Sequence, residues 1–417
     1  VSHARAAIGW MLLACLVACR GPAASRPSAA TDAVSSLTPA TTNGSIALEN
    51  LNGQIDGLQR GVAAGREPVT GLVEMLTLRG QLLGRIADYE AAEAAAEAAV
   101  RERASDPNAY LARARSRLVF HRFEDARQDL DTAERLKGDA EAIGAARASA
   151  LQGAGDYEAA LAMRKAAAVA RPSVLTLGNE ATLLAERGDV DAAEPLFDAA
   201  LQAYRDVSPF PVCWLDYQRG MMWLRAGDLE RARSLFTAVV ARLPGHAAAA
   251  TNLGWLELAL GHRERGLALL RGVVQASDDP EAAGILAQAL PFAGQAAEAE
   301  RYRAQAAARY DELVARHPEA YADHAARFWL GPGKDPQQAF VLAHRNLGNR
   351  KTPTAYVLMV QAALATRHSD AACTAAKAAV AFGRPTPPDR PLAERALAER
   401  ALATCQQSRI PAARVPH

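Results

Sequence analysis

The sequence predicts an all-α protein built as an elongated repeat array. Three observations carry that prediction. Half of the 417 residues are apolar but only 6% are aromatic, and alanine, the strongest helix former, is by far the commonest apolar residue. The length exceeds what one hydrophobic core usually supports. A short turn, most often Gly-Asp, recurs at intervals of 33 to 39 residues, which is how stacked helical units announce themselves. The 47 basic and 46 acidic side chains leave a formal net charge of +1. That balance argues against a dedicated nucleic-acid binder and against a disordered acidic chain.

The elements follow in chain order. Residues 1–18 read as a leader: Arg5 is positive, and Ala6 to Val17 is an apolar run too short to span a bilayer but right for a signal core. The run ends Leu16-Val17-Ala18-Cys19, which resembles a bacterial lipobox. The resemblance implies a lipoprotein signal peptide, cleavage before Cys19 and diacylglycerol on its sulfur. The other reading is a secretory signal with a chance cysteine. Residues 19–45 are rich in Ala, Ser, Thr and Pro and lack helical periodicity, so they read as a lipidated Cys and disordered tether. Arg20, rather than Asp, follows the cysteine. The resemblance then favours the outer membrane, with the chain lipid-anchored in the cell envelope and facing the periplasm.

The opening helix, Ile46 to Ala64, lacks the repeat pattern and is expected to cap the array. The turns Ala87-Asp88-Tyr89, His121-Arg122-Phe123, Gly155-Asp156-Tyr157, Gly188-Asp189-Val190, Gly227-Asp228-Leu229, Gly261-His262-Arg263 and Gly294-Gln295-Ala296 align. Seven positions before them stand Gly80, Ala114, Ala148, Ala181, Gly220 and Gly254; five after stand Ala92, Ala126, Ala160, Ala193, Ala232 and Gly266. Two antiparallel helices need small side chains where their axes come closest. Leu130, Phe197, Phe236 or Leu270 then plugs the gap, and Pro172 and Pro244 separate units. An insertion, Asp206 to Pro211, interrupts the period. These columns resemble the tetratricopeptide repeat (TPR). The resemblance implies a right-handed superhelical solenoid of about nine TPR-like helical hairpins with capping helices. Residues 46–280 form the N-terminal array, and 281–407 a divergent array ending in a capping helix, Arg390 to Gln406. Residues 408–417 read as a disordered tail.

Motifs for chemistry are scarce. No H-E-x-x-H, zinc-finger cysteine spacing, complete phosphate loop or G-x-S-x-G occurs. His317 and His324 are seven apart but separated by Pro318. The chain therefore reads as a non-enzyme with no catalytic residues, no metal and no cofactor. In the resembled family the first helix of each hairpin lines a concave groove. That assigns Trp214, Tyr217, Met221 and Leu224 from one unit, and Thr251, Trp255 and Leu258, with Asn252 beside them, from the next. Trp214, Tyr217 and Met221 share a helix face, and Trp and Tyr suit binding hot spots. Internal packing is the alternative for these aromatics. Asn252 and Asn179 match the family's carboxylate clamp, but its lysines are absent, so chaperone-tail recognition is not implied.

A second cluster, Asp323, His324 and Arg327 beside Phe328 and Trp329, departs from the repeat. It either braces a distorted hairpin or positions a ligand. Cys373 and Cys405 lie on segments that antiparallel packing brings together, as a disulfide or as two buried thiols, while Cys213 has no obvious partner. The reading that results is a protein- or peptide-binding scaffold at the cell envelope, with the partner in the concave groove, a membrane contact through the lipid and no nucleic acid. The alternatives are a structural accessory subunit of an envelope complex, or a metal-binding, ligand-binding or enzymatic protein using the Asp323 region.

Overall fold

The computed structural model describes residues 39–382 and 393–408. The leader, Cys19 and nearly all of the tether lie outside the described residues, as do the Pro-rich stretch before the last helix and the C-terminal tail. Among the described residues there are α-helices and one 3₁₀ turn and no strand. No described helix is long and apolar enough to cross a membrane.

Helix α1 (Gly44–Ala63) leads into nine hairpins. Their helices are α2 (Val69–Leu83) and α3 (Ile86–Glu102), α4 (Pro107–Val119) and α5 (Phe123–Arg135), and α6 (Ala140–Ala154) and α7 (Tyr157–Ala170). Next come α8 (Val174–Glu186) and α9 (Val190–Ala203), α10 (Pro209–Arg225) and α11 (Leu229–Arg242), and α12 (Ala247–Ala259) and α13 (Arg263–Ala276). The last three pairs are α14 (Glu281–Ala289) and α15 (Ala296–Arg316), α16 (Pro318–Leu330) and α17 (Pro336–Asn349), and α18 (Pro353–Ala365) and α19 (Ser369–Ala381). Helix α20 (Ala393–Ser408) closes the array.

The turn inside each hairpin, its tip, holds one left-handed residue: Gly84, His121, Gly155, Gly188, Gly227, Gly261, Gly294, Lys334 and Arg367. That conformation ends the first helix and reverses the chain. The linkers between hairpins carry the N-caps. Asp106, Asp139, Ser173, Ser208, His246 and Thr352 each accept a bond from a first-turn N–H. The small columns sit where helices touch. A Cβ on Gly220 would come within 2.6 Å of the Phe236 ring, and one on Gly254 within 2.8 Å of Leu270. Ala114, Ala126, Ala160, Ala181, Ala193 and Ala232 are fully buried.

The array then closes on itself. Helix α2 of the first hairpin packs on α12 of the sixth. The linker after the sixth hairpin rests on the first tip, where Ser277 Oγ donates to Gly84 O and Asp278 Oδ1 accepts from Ile86 N at 2.6 Å. The linker after the seventh rests on the second tip: His317 stacks on Phe120 at 3.8 Å, and His121 Nδ1 lies 3.2 Å from Glu319 O. The linker after the eighth rests on the third tip: Lys351 N donates to Ala154 O at 2.9 Å and Arg350 Nε to Gly153 O at 3.3 Å. Gly44 at the start of α1 meets Leu243 in the linker after the fifth. One superhelical turn therefore takes five hairpins, and the second turn is hydrogen-bonded to the first along a seam.

The first unit departs from the aligned repeat. Ala87, Asp88 and Tyr89 are in the first turn of α3, and the left-handed residue is Gly84, three positions earlier. Like every other second helix, α3 begins two residues after its left-handed tip residue, so the turn aligned at Ala87 lies three residues late; Asp278 accepts from the Ile86 and Ala87 N–H groups from the neighbouring turn.

Two seam histidines are held neutral. Burial, with Arg350 adding to it, lowers the His121 imidazole to about 4, and burial lowers His246 to about 4. Their folded values lie below the unfolded value, so their stabilisation is present above about pH 6.5 and lost as pH falls toward 4. Asp216, raised to about 6 by burial, works in the opposite direction. Comparing the protein with a His246→Asn variant, which retains an N-cap acceptor, isolates one histidine. Between pH 7 and 5 the unsubstituted protein is expected to lose about 2 kcal/mol more than the variant in urea unfolding.

Candidate functional site

Helices α10 and α12 carry the groove residues expected from the sequence, among them Trp214, Tyr217 and Met221 on the first and Asn252 and Trp255 on the second. Trp214, Tyr217, Met221 and Trp255 are half-buried against the core cluster of hairpins three to six. Trp214 lies over Gly178 of α8, where a Cβ would come within 2.6 Å of its ring. The glycine makes the notch that seats the indole. Tyr217 is the most enclosed. It packs on Phe236 and His246 with ring centroids 5.8 and 5.4 Å apart. Asn252 Nδ2 donates to its hydroxyl at 3.4 Å and to Ala248 O at 2.9 Å. Burial pushes the Tyr217 phenol up to about 12. Tyr217 and Asn252 thus tie hairpins five and six together, while the half-buried Trp214, Met221 and Trp255 keep open surface.

The second predicted cluster lies on α16. The Asp323 carboxylate is buried and sits 3.3 Å from Arg327 Nη1, 3.7 Å from Arg350 Nη1 and 3.7 Å from His324 Nε2. Burial alone would raise Asp323, but the charges of His324, Arg327 and Arg350 outweigh it and hold the group well below the usual carboxylate range. Arg350 also bonds the third tip across the seam. The cluster therefore braces the junction of α16, α17 and the first turn of the superhelix, while His324 and Arg327 remain partly open to solvent. Phe328 is buried against Tyr310 and the backbone of Gly284 and Gly333. Pro318 begins α16 and leaves His317 outside it, stacked on Phe120 and 3.1 Å from Glu90.

The residue that joins the two clusters was not singled out from sequence. Glu281, at the start of α14, is exposed. Desolvation nevertheless raises its carboxyl, against the charges of His324 and Arg327. A solvent-exposed carboxylate is desolvated in this way when protein walls surround it on several sides. Its charge reaches Tyr217 on one side and Tyr310 and the α16 cluster on the other. Its side chain makes no hydrogen bond or ion pair among the described residues. The signal in the sequence is the linker Asp278-Asp279-Pro280-Glu281, with three carboxylates at a helix start. Asp278 spends its charge on the seam, capping α3 and pairing with Arg309 at 3.0 Å.

The side chains gathered on α10, α12, α14 and α16 are indole and phenol faces, an amide, a carboxylate, an imidazole and a guanidinium. Cys213 is buried, and burial pushes its thiol up to about 12, which keeps it protonated. Far from the wall, Cys373 and Cys405 form a disulfide with Cα atoms 5.9 Å apart, fastening α20 to α19.

The fold and wall define an α-solenoid of helical hairpins. Tetratricopeptide-repeat family models match residues 77–141 and 224–289, so these two segments carry tetratricopeptide repeats, and such repeats support a protein-interaction scaffold. Among solved structures, the chain is similar to a human IFIT1 dimer with PPP-AAAA, at 16% identity and a TM-score of 0.47, covering 78% of this chain and 77% of that one. It is also similar to yeast Tom70, at 12% identity and a TM-score of 0.34, covering 87% and 98%. A tetratricopeptide repeat protein from Parabacteroides merdae is similar at 15% identity and a TM-score of 0.37, covering 64% and 100%. No curated protein sequence matches the chain.

Asp323→Asn keeps the side-chain shape but removes the negative charge that His324, Arg327 and Arg350 share. It is expected to cost about 3 kcal/mol in denaturant unfolding, because it breaks a buried charge cluster.

Proposed function

We propose that this protein is a non-enzymatic scaffold, anchored by lipid at Cys19 to the bacterial outer membrane, that holds a protein or peptide partner against the inner wall of its superhelix. One observation carries the binding site. Trp214, Tyr217, Met221 and Trp255 lie half-buried on α10 and α12, and Glu281, on the helix packed against both α12 and α16, interacts electrostatically with Tyr217, His324 and Arg327. A segment lying there has apolar faces to pack on, the Asn252 amide beside them, and charge to fix its register. The lipobox-like Leu16 to Cys19 supports the anchor. The Cys373–Cys405 disulfide suits an oxidising compartment such as the periplasm. The alternative, a permanent place in an envelope complex as a structural subunit, would use the same wall. A small ligand bound by His324 and Arg327 is favoured by the unpaired carboxylate beside them.

The test is a photoreactive residue at Trp255 in the native cells. A reproducible protein adduct that disappears with Trp214→Ala is the expected result. Capture at Trp329 or from the convex surface, with none at Trp255, would contradict the wall as the binding site. Metabolic labelling with a radioactive fatty acid tests the anchor separately, with label expected on the protein and lost in Cys19→Ser.

A further inference from the structure

The seam is unfinished at both edges. Linkers following hairpins six, seven and eight cover tips one, two and three. Tips five to nine have no such cover among the described residues, and a Cβ on Gly227, Gly261 or Gly294 would meet nothing within 4 Å. A Cβ on Gly84 or Gly155 would strike Ser277 or Lys351. On the opposite edge, the linkers at residues 64–68, 103–106, 136–139, 171–173 and 204–208 are largely solvent-exposed.

The exposed apolar residues gather on these two edges. Of seven large hydrophobic side chains exposed among the described residues, five lie there: Val169 (83%), Leu175 (56%) and Val207 (63%) at the linker edge, Phe292 (76%) and Leu364 (42%) at the tip edge. Scattered apolar residues need no explanation, but two edges of complementary shape carrying most of them do. At tips five and six an open cavity of about 440 Å³ is lined by Trp223, Leu229, Leu260 and Arg231. It is an unfilled socket at the level where Ser277 fills the first tip.

Among the described residues, the array ends in half-hairpins. Helix α20 packs on α18 and α19 as the first helix of a tenth hairpin would, and α1 packs on α2 as the second helix of a preceding one. Nine hairpins plus two halves make ten, which is two superhelical turns of five. We propose that copies of this chain stack head to tail, the linker edge of one copy seated on the tip edge of the next, continuing the seam that each chain makes within itself. The occupant is a second copy because linker and tip edges already fit each other three times in one molecule. This arrangement is independent of the inner-wall site. The interface is heterologous and does not close, so growth is open-ended. Continuing the five-hairpin register places Val207 of one copy on Leu364 of the next.

Sedimentation of the full chain purified from its cells tests this. The expected result is a sedimentation coefficient that keeps rising with concentration. Phe292→Asp and Leu364→Asp should each abolish the rise. Val341→Asp, at an exposed site off both edges, should leave it unchanged. Mixing Val207→Cys protein with Leu364→Cys protein under mild oxidation should give a linked dimer, and replacing the second with Val341→Cys should give none. A monomer at every concentration, or association that survives both aspartates, overturns the proposal. Association without the Val207–Leu364 link overturns the head-to-tail register and the proposal with it.

Discussion

Asp278 caps helix α3 from one superhelical turn away, and much else depends on that reach. A TPR-like array is quasi-one-dimensional when each unit touches only its neighbours. Here the contacts between hairpins one and six, two and seven, and three and eight add long-range order to a fold otherwise made of local pairs. The small residues at helix crossings set how far each hairpin rotates relative to the last. That rotation brings the sixth hairpin over the first, and the polar groups of the linkers then find the free backbone of the tips. Buried backbone donors and acceptors at the seam must be satisfied, and Ser277, Asp278, Asn349, Arg350 and the Lys351 amide do this.

A closed turn changes what the concave face is. In an open superhelix, Trp214, Tyr217 and Trp255 would line a wide groove. With five hairpins per turn, α14 packs on both α12 and α16, and Glu281 interacts electrostatically with Tyr217 of one cluster and with His324 and Arg327 of the other. The same packing gives each aromatic two roles. Tyr217 is committed to the joint between hairpins five and six, whereas Trp214, seated on Gly178, keeps part of its indole open. Recognition and stability therefore share side chains, and truncating Tyr217 would disturb both.

Much of this was legible in the sequence, for local reasons. The small columns, six of the nine tips, the terminal helices α1 and α20 and the proximity of Cys373 to Cys405 all follow from helix periodicity and turn chemistry. What was not legible is non-local. Nothing near Ala87 reveals that Asp278 will cap α3, because that carboxylate is 191 residues away. Nothing at Glu281 reveals that it will stand between two clusters, because its surroundings are set by the pitch of the whole array. The face carrying Trp214, Tyr217 and Met221 could be assigned by register, but whether they would be open or packed depended on a glycine one hairpin earlier.

The closed seam is the central claim, and amide hydrogen exchange at Lys351 tests it most directly. This N–H lies in a linker, outside any helix, and its acceptor is Ala154 O in the other turn at 2.9 Å. If the turns are bonded together, the Lys351 amide is protected from exchange to an extent comparable with helices α6 and α18 on either side of the seam. Exchange of Lys351 at the rate of an unprotected amide, while those helices remain protected, would show that the array is an open coil and would contradict the account.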